Sequence, residues 1–149
     1  MASFHDEAIW MEKLNLEDRI TMTRAMVGLL DSWGVRPADQ VELLALPAGT
    51  RPGSIRQFRQ STPFPEDVRI MERIEHFIGI ADALRTSYPR NGHMGAIWMN
   101  KVNHRFDNRT PLVAMLEDGL DGIIAVRTHL DCAYDWHISG SDGNRNSAR

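Results

Sequence analysis

Between Pro65 and Pro89 the chain carries Ile70, Ile74, Phe77, Ile78, Ala81 and Leu84 on a single helical stripe. That spacing predicts the longest helix of the protein, starting near Pro65 with Glu66 and Asp67 on its positive end and finished before Pro89. A helix with one apolar stripe has to bury it, so everything else in the sequence is judged by what it can pack against this one. No segment alternates apolar and polar residues for long enough to make a strand. The partners are therefore helices too, and the predicted fold class is all-α.

The remaining segments fit that scheme. "EDRITMTRAMVGLLDSWG" places Met22, Met26, Leu29, Leu30 and Trp33 on one face, with Gly34 as the stop. "RPADQVELLAL" opens with Pro37 in its first turn and buries Val41, Leu43 and Leu44. "PAGTRPGS" breaks it, because its prolines and glycines are costly inside a helix. "SIRQFRQ" reads as a short helix capped by Ser54, and "GAIWMNKV" as another that holds Trp98. In "RTPLVAMLEDG", Thr110 caps, Pro111 takes the first helical position, Leu112, Met115 and Leu116 point inward, and Gly119 ends the helix. "LDGIIAVRTHLDCAYDW" puts Ile123, Val126, Leu130 and Ala133 on one face. The first segment, "SFHDEAIWMEKLNL", has Phe4, Ala8 and Met11 at helical spacing and reads as an arm that covers the core or joins copies. A seam at "PRNGHMG" divides the chain into residues 1–89 and 90–138, followed by a small, polar, flexible tail over 139–149.

Composition limits the function classes. A chain of 149 residues buries about 70% of its unfolded surface and needs no staple. Its single cysteine, Cys132, cannot form an internal disulfide and points to a reducing compartment. "MASFHDEAIW" has acids where an export signal would carry positive charge, and no apolar run approaches a membrane span of about 18 residues. A cytoplasmic protein without a membrane partner is expected. The net charge of −3 argues against nucleic-acid binding through bulk positive charge. Residues 1–89 hold 10 Lys/Arg and 13 Asp/Glu, a net of −3; residues 90–149 hold 7 of each, a net of zero.

Inside the acidic half, "RPGSIRQFRQ" holds Arg51, Arg56 and Arg59 without an acid. Helix, helix, turn, short Arg-bearing helix and long helix is an order compatible with a helix-turn-helix, in which Arg51, Ser54, Arg56 and Arg59 would meet DNA. The same order also suits a helical bundle with solvated arginines. Metal candidates are His129, Cys132, Asp135 and His137, or His93, His104 and Asp107, but no paired C-x-x-C type spacing supports them. A buried structural cysteine and solvated histidines are the simpler reading. Cys132 with His129 or His137 lacks a third orienting group, and "PAGTRPGS" lacks the phosphate-loop spacing. No enzyme and no cofactor are read from this sequence. The loop "NHRFDNR" is richer in hydrogen-bonding groups than a connector requires, and Arg105 and Arg109 suit bidentate contacts. Asn103, Asp107 and Asn108 can equally be shaping turns.

The stretch "IWMNKVNHRFDNRTPLVAMLEDGLDGIIAVRTHL" resembles the toxin-binding domain of Xre/MbcA/ParS-type antitoxins. In that family a tryptophan precedes an Asn-containing loop, then Arg-Ser/Thr-Pro-Leu, a short helix ending at Gly, and a final helix. Trp98, Asn103, Phe106, Arg109, Thr110, Pro111, Leu112, Leu116 and Gly119 stand at the matching places, with Asp107-Asn108 where the family usually has glycines. The preceding helices resemble the Xre-like half of the same proteins more loosely. The resemblance implies a type II antitoxin, with residues 1–89 as the Xre-like part and 90–138 as the toxin-binding domain. Its partner would be a NAD-dependent RES-domain toxin whose cleft it covers. It implies a homodimer within a hetero-oligomer and, through the helix-turn-helix, possible binding to operator DNA. Trp98, Asn103, Arg105, Asn108, Arg109, Thr110, Pro111 and Trp136 are the expected toxin-binding residues. A DNA-binding regulator without a toxin is the alternative.

Overall fold

The protein is described by a computed structural model, which covers the backbone of residues 14–147 and the side chains of residues 14–133. Within that range the fold is all-α, with no strand. The helices are α1 (Leu16–Ser32), α2 (Pro37–Leu43), α3 (Ile55–Gln60), α4 (Val68–Ser87), α5 (Met94–Met99), α6 (Pro111–Asp118) and α7 (Leu120–Ser147). Two 3₁₀ turns, Pro52–Ser54 and His104–Phe106, link them.

Helix ends follow local chemistry. The Asn15 side chain accepts a 2.7 Å bond from the Asp18 N–H and opens α1. At its far end Gly34 has φ +79°, and the N–H groups of Gly34 and Val35 return to the carbonyls of Asp31 and Leu30. This is the paired closure that a left-handed residue permits. The end of α2 repeats it with Ala45 at φ +52° in the glycine's place: Ala45 bonds to Glu42 and Leu46 to Val41. Asp67, whose carboxylate accepts from the Arg69 N–H at 2.8 Å, caps α4.

Packing joins the two sides of the "PRNGHMG" stretch. One apolar cluster holds Leu30, Trp33, Phe64, Phe77 and Ile80 together with Met99, Phe106, Met115, Ile123 and Val126. Trp33 meets Phe77 edge-on at 6.1 Å, and the Asn100 amide donates to the Trp33 carbonyl at 2.8 Å. Residues 14–89 and 90–133 thus share one core. In the first half of α1, the fully buried Thr23 hydroxyl receives the Phe64 N–H at 3.0 Å, and Arg19 donates to the Phe64 carbonyl at 3.0 Å. These two bonds fix the segment that leads into α4.

The long face of α7 lies on α4. Arg127 crosses Gly79, where a Cβ would come within 2.6 Å of its Nε, and donates to Glu75 and His76 at 3.1 Å. At its start α7 presses on α6: a Cβ on Gly122 would sit 2.3 Å from the Ala114 carbonyl oxygen. Only glycine lets the two helices approach this closely.

Several sequence readings change. Ser54 does not cap α3 with its side chain, because it belongs to the preceding 3₁₀ turn and has helical φ and ψ of −68° and −21°. A capping side chain needs extended backbone there. Helix α4 begins at Val68, three residues after Pro65, because Asp67 supplies the cap. Ile78 is 42% exposed while Ile80 is fully buried, since α7 approaches α4 from a direction that one stripe does not reveal. Val41 is half-buried and Leu43 buried. Ala133 and Cys132 are exposed, so the cysteine is not a core residue. The backbone of α7 continues to Ser147, past the place where the polar composition reads as a tail; extending an existing helix costs far less than starting one. The arm carrying Phe4, Ala8 and Met11 lies outside the described residues.

Candidate functional site

The loop 102–110 is held from within. The Asn103 N–H donates to the Arg109 carbonyl at 3.0 Å, forming an isolated antiparallel bridge. The Asn103 side chain accepts from the Arg105 N–H at 3.0 Å and starts the 3₁₀ turn. The Arg109 N–H then donates to the Phe106 carbonyl at 3.1 Å across Asp107 and Asn108, whose φ values are +56° and +60°. Two successive positive φ values make a tight turn of the hairpin type, for which Asp and Asn are the best residues after glycine. Asp107 and Asn108 therefore make the turn without a glycine.

Arg109 serves the fold. Its Nε donates to the Phe106 carbonyl at 2.9 Å, and its two terminal nitrogens fork Asp118 at 3.1 and 2.8 Å. Asp107 and Glu117 lie 3.7 Å away. The hydrogen bonds to Asp118 hold the guanidinium above its usual range, and in return hold the Asp118 carboxyl below the ordinary carboxylate value. The arginine thus ties the loop to the end of α6, which Thr110 caps at the other end by accepting from the Val113 N–H at 3.1 Å. Pro111 is buried at the first helical position.

Beneath the loop three rings stack. Trp98 from α5 lies nearly parallel to His129 of α7 at 6.2 Å, and Phe106 stands edge-on to both, at 6.3 Å from Trp98 and 5.6 Å from His129. His129 is half-buried, not solvated. Burial, and then the charges of Arg105 and His104, keep it less readily protonated than an ordinary histidine. Its place in this stack leaves no trace in the sequence beyond its position one turn past Val126. The same holds for Asp118, the partner of Arg109.

Most of the expected binding residues thus build the platform. Asn103, Arg109, Thr110 and Pro111 shape it and Trp98 supports it, whereas Arg105 and Asn108 are exposed. The Trp136 side chain lies outside the described residues. Compared with family models, curated proteins and solved structures, the chain matches none.

The second candidate surface is partly engaged as well. Arg59 forks Asp31 with two 3.0 Å bonds, and Asp31 also accepts from the buried Gln40 at 2.7 Å. Burial raises the Asp31 carboxyl, but the hydrogen bonds from Arg59 and Gln40 outweigh it and leave the group below its ordinary value. Arg51 and Arg56 are exposed and make no ion pair among the described residues. Residues 44–54 separate α2 from α3, more than the roughly three- or four-residue turn of a helix-turn-helix. Among the described residues no three His, Cys, Asp or Glu side chains cluster as a metal site requires, and no helix is long and apolar enough to cross a membrane.

Proposed function

We propose that the protein is a type II antitoxin of the Xre/MbcA/ParS kind, and that it inhibits a NAD-consuming RES-domain toxin by covering the toxin's cleft. The observation that carries this reading is the preorganised loop 102–110. Bridge, tight turn, cap and Arg109 fork fix its backbone, while Arg105, Asp107 and Asn108 stand exposed on it. A surface held this way loses little freedom on binding, which is what a tight steric inhibitor needs. The residues that resemble the family's motif are the ones that hold this loop. The antitoxin itself performs no reaction and holds no cofactor; it acts in the cytoplasm, as a homodimer within the complex.

The test is to tag this chain, express it with its genomic neighbour, and identify what co-purifies. A NAD-consuming neighbour that is toxic alone and neutralised by this chain is the expected result. With Arg105→Ala and Asn108→Ala combined, both exposed on the loop, neutralisation should fail. Unchanged affinity in that double variant would sink the platform account.

The exposed, unpaired Arg51 and Arg56 favour a second reading, a DNA-binding regulator without a toxin partner. It predicts a gel shift on the chain's own promoter region that weakens steeply with salt. The fork between Arg59 and Asp31 removes one of the three phosphate-binding candidates from that surface.

A further inference from the structure

The loop 102–110 divides its charge in space. Arg109 is surrounded by Asp107, Glu117 and Asp118, so the side of the loop facing the end of α6 is acidic, and Asp107 is 94% exposed there. Arg105 takes no part in these ion pairs and stands exposed on the same loop. The Arg105 side chain has no partner among the described residues, although its backbone N–H is fixed by Asn103. Lys101 precedes the loop, and Val102 beside it is 61% exposed. A fixed backbone, an unpaired guanidinium and an uncovered apolar side chain next to one another form half of an interface.

We infer that the partner seated on this loop is a protein surface whose carboxylates pair with Arg105 while its apolar rim covers Val102. A guanidinium fork suits a carboxylate or a phosphate equally well. The neighbouring acids decide between them. Asp107, Glu117 and Asp118 would repel the evenly spaced charges of a nucleic-acid backbone, whereas a protein can place single carboxylates opposite Arg105 and keep them clear of Asp107. The inference rests on the antitoxin reading for the identity of the partner and adds the chemistry of its contact face.

The experiment measures binding of the purified full-length chain to its co-expressed genomic neighbour by calorimetry, with Arg105→Glu and Arg105→Lys as variants. Arg105 is exposed and its side chain supports nothing, so both variants should fold; matching far-UV dichroism checks this. Expected is a loss of about 100-fold in affinity for Arg105→Glu, against less than about tenfold for Arg105→Lys. The wild-type affinity should also fall as NaCl rises from about 50 to about 300 mM. Wild-type binding that Arg105→Glu leaves unchanged overturns the acidic contact and leaves the antitoxin reading standing. A neighbour that does not bind the wild-type chain at all overturns both. Duplex DNA retained by the wild-type chain and released by Arg105→Glu overturns the protein partner in favour of a phosphate backbone.

Discussion

The two arginine-bearing regions, Arg51–Arg59 and Arg105–Arg109, use the same device in different settings. Each commits one arginine to an internal aspartate through a two-pronged fork, Arg59 to Asp31 and Arg109 to Asp118. The first leaves Arg51 and Arg56 unpaired among the described residues, the second Arg105. In the N-terminal region the fork crosses helices: Asp31 is on α1, Arg59 on α3, and Gln40 of α2 completes the set. In the C-terminal region the fork is local and closes a loop of a few residues upon itself. The first arrangement holds helices together; the second gives a surface its shape. An arginine's meaning therefore depends on where its nearest carboxylate is anchored.

The largest expected effect tests what supports the loop. Gly122→Ala should destabilise the protein by about 3 kcal/mol, because a Cβ would collide with the Ala114 carbonyl and must push α6 away from α7. Urea unfolding measures the loss, and hydrogen exchange at the Asn103 and Arg109 amides should quicken with it. A variant that unfolds earlier while the loop amides stay protected would separate the loop from its platform.

Next comes the contrast between the two forks. Asp31→Ala should cost about 1–2 kcal/mol in global unfolding, since Gln40 is buried and loses an acceptor. Asp118→Ala should instead act on the loop, speeding exchange at the Arg109 amide with a smaller change in the unfolding midpoint. If the two variants proved interchangeable in both measurements, the distinction between holding helices and shaping a surface would disappear.

A gain should follow from Ala45→Gly. Ala45 occupies a left-handed position that its counterpart Gly34 takes without strain, so the variant should stabilise by about 0.5–1 kcal/mol in thermal melts.

The smallest effect concerns pH. His129 protonates less readily in the folded chain than in the unfolded one, so its contribution is fully present above the ordinary value of 6.5. Stability should fall as the pH drops below that value, because protons then favour the unfolded state. His76, also depressed by burial and by Arg127, adds to the same slope. His129→Phe should flatten the curve between about pH 7 and pH 5 without abolishing it.

Much of this architecture can be read from the residues. Thr110, Pro111 and Gly119 bound α6 because capping, a fixed φ and a positive φ act within one turn of chain. Asn103, Asp107 and Asn108 shape their loop for the same local reason. Tertiary choices are harder to read. Ile78 and Ile80 are equally apolar, and only the approach of α7 decides which one is buried. Arg105 and Arg109 look alike in sequence, and only the folded position of Asp118 tells the strut from the free group. His129 reads as a metal or surface residue until α5 and α7 bring it against Trp98.

Gly119 is the entire connection between α6 and α7, for one helix ends at Asp118 and the next begins at Leu120. Chain length is therefore quantised at this corner. One inserted residue must either loop out or turn one helix against the other by about 100°. The second outcome would carry Arg127 off Gly79 and His129 off Trp98 together. Insertions that a surface loop absorbs without notice should be excluded here, and a natural variant of this chain that lengthens anywhere should lengthen somewhere else.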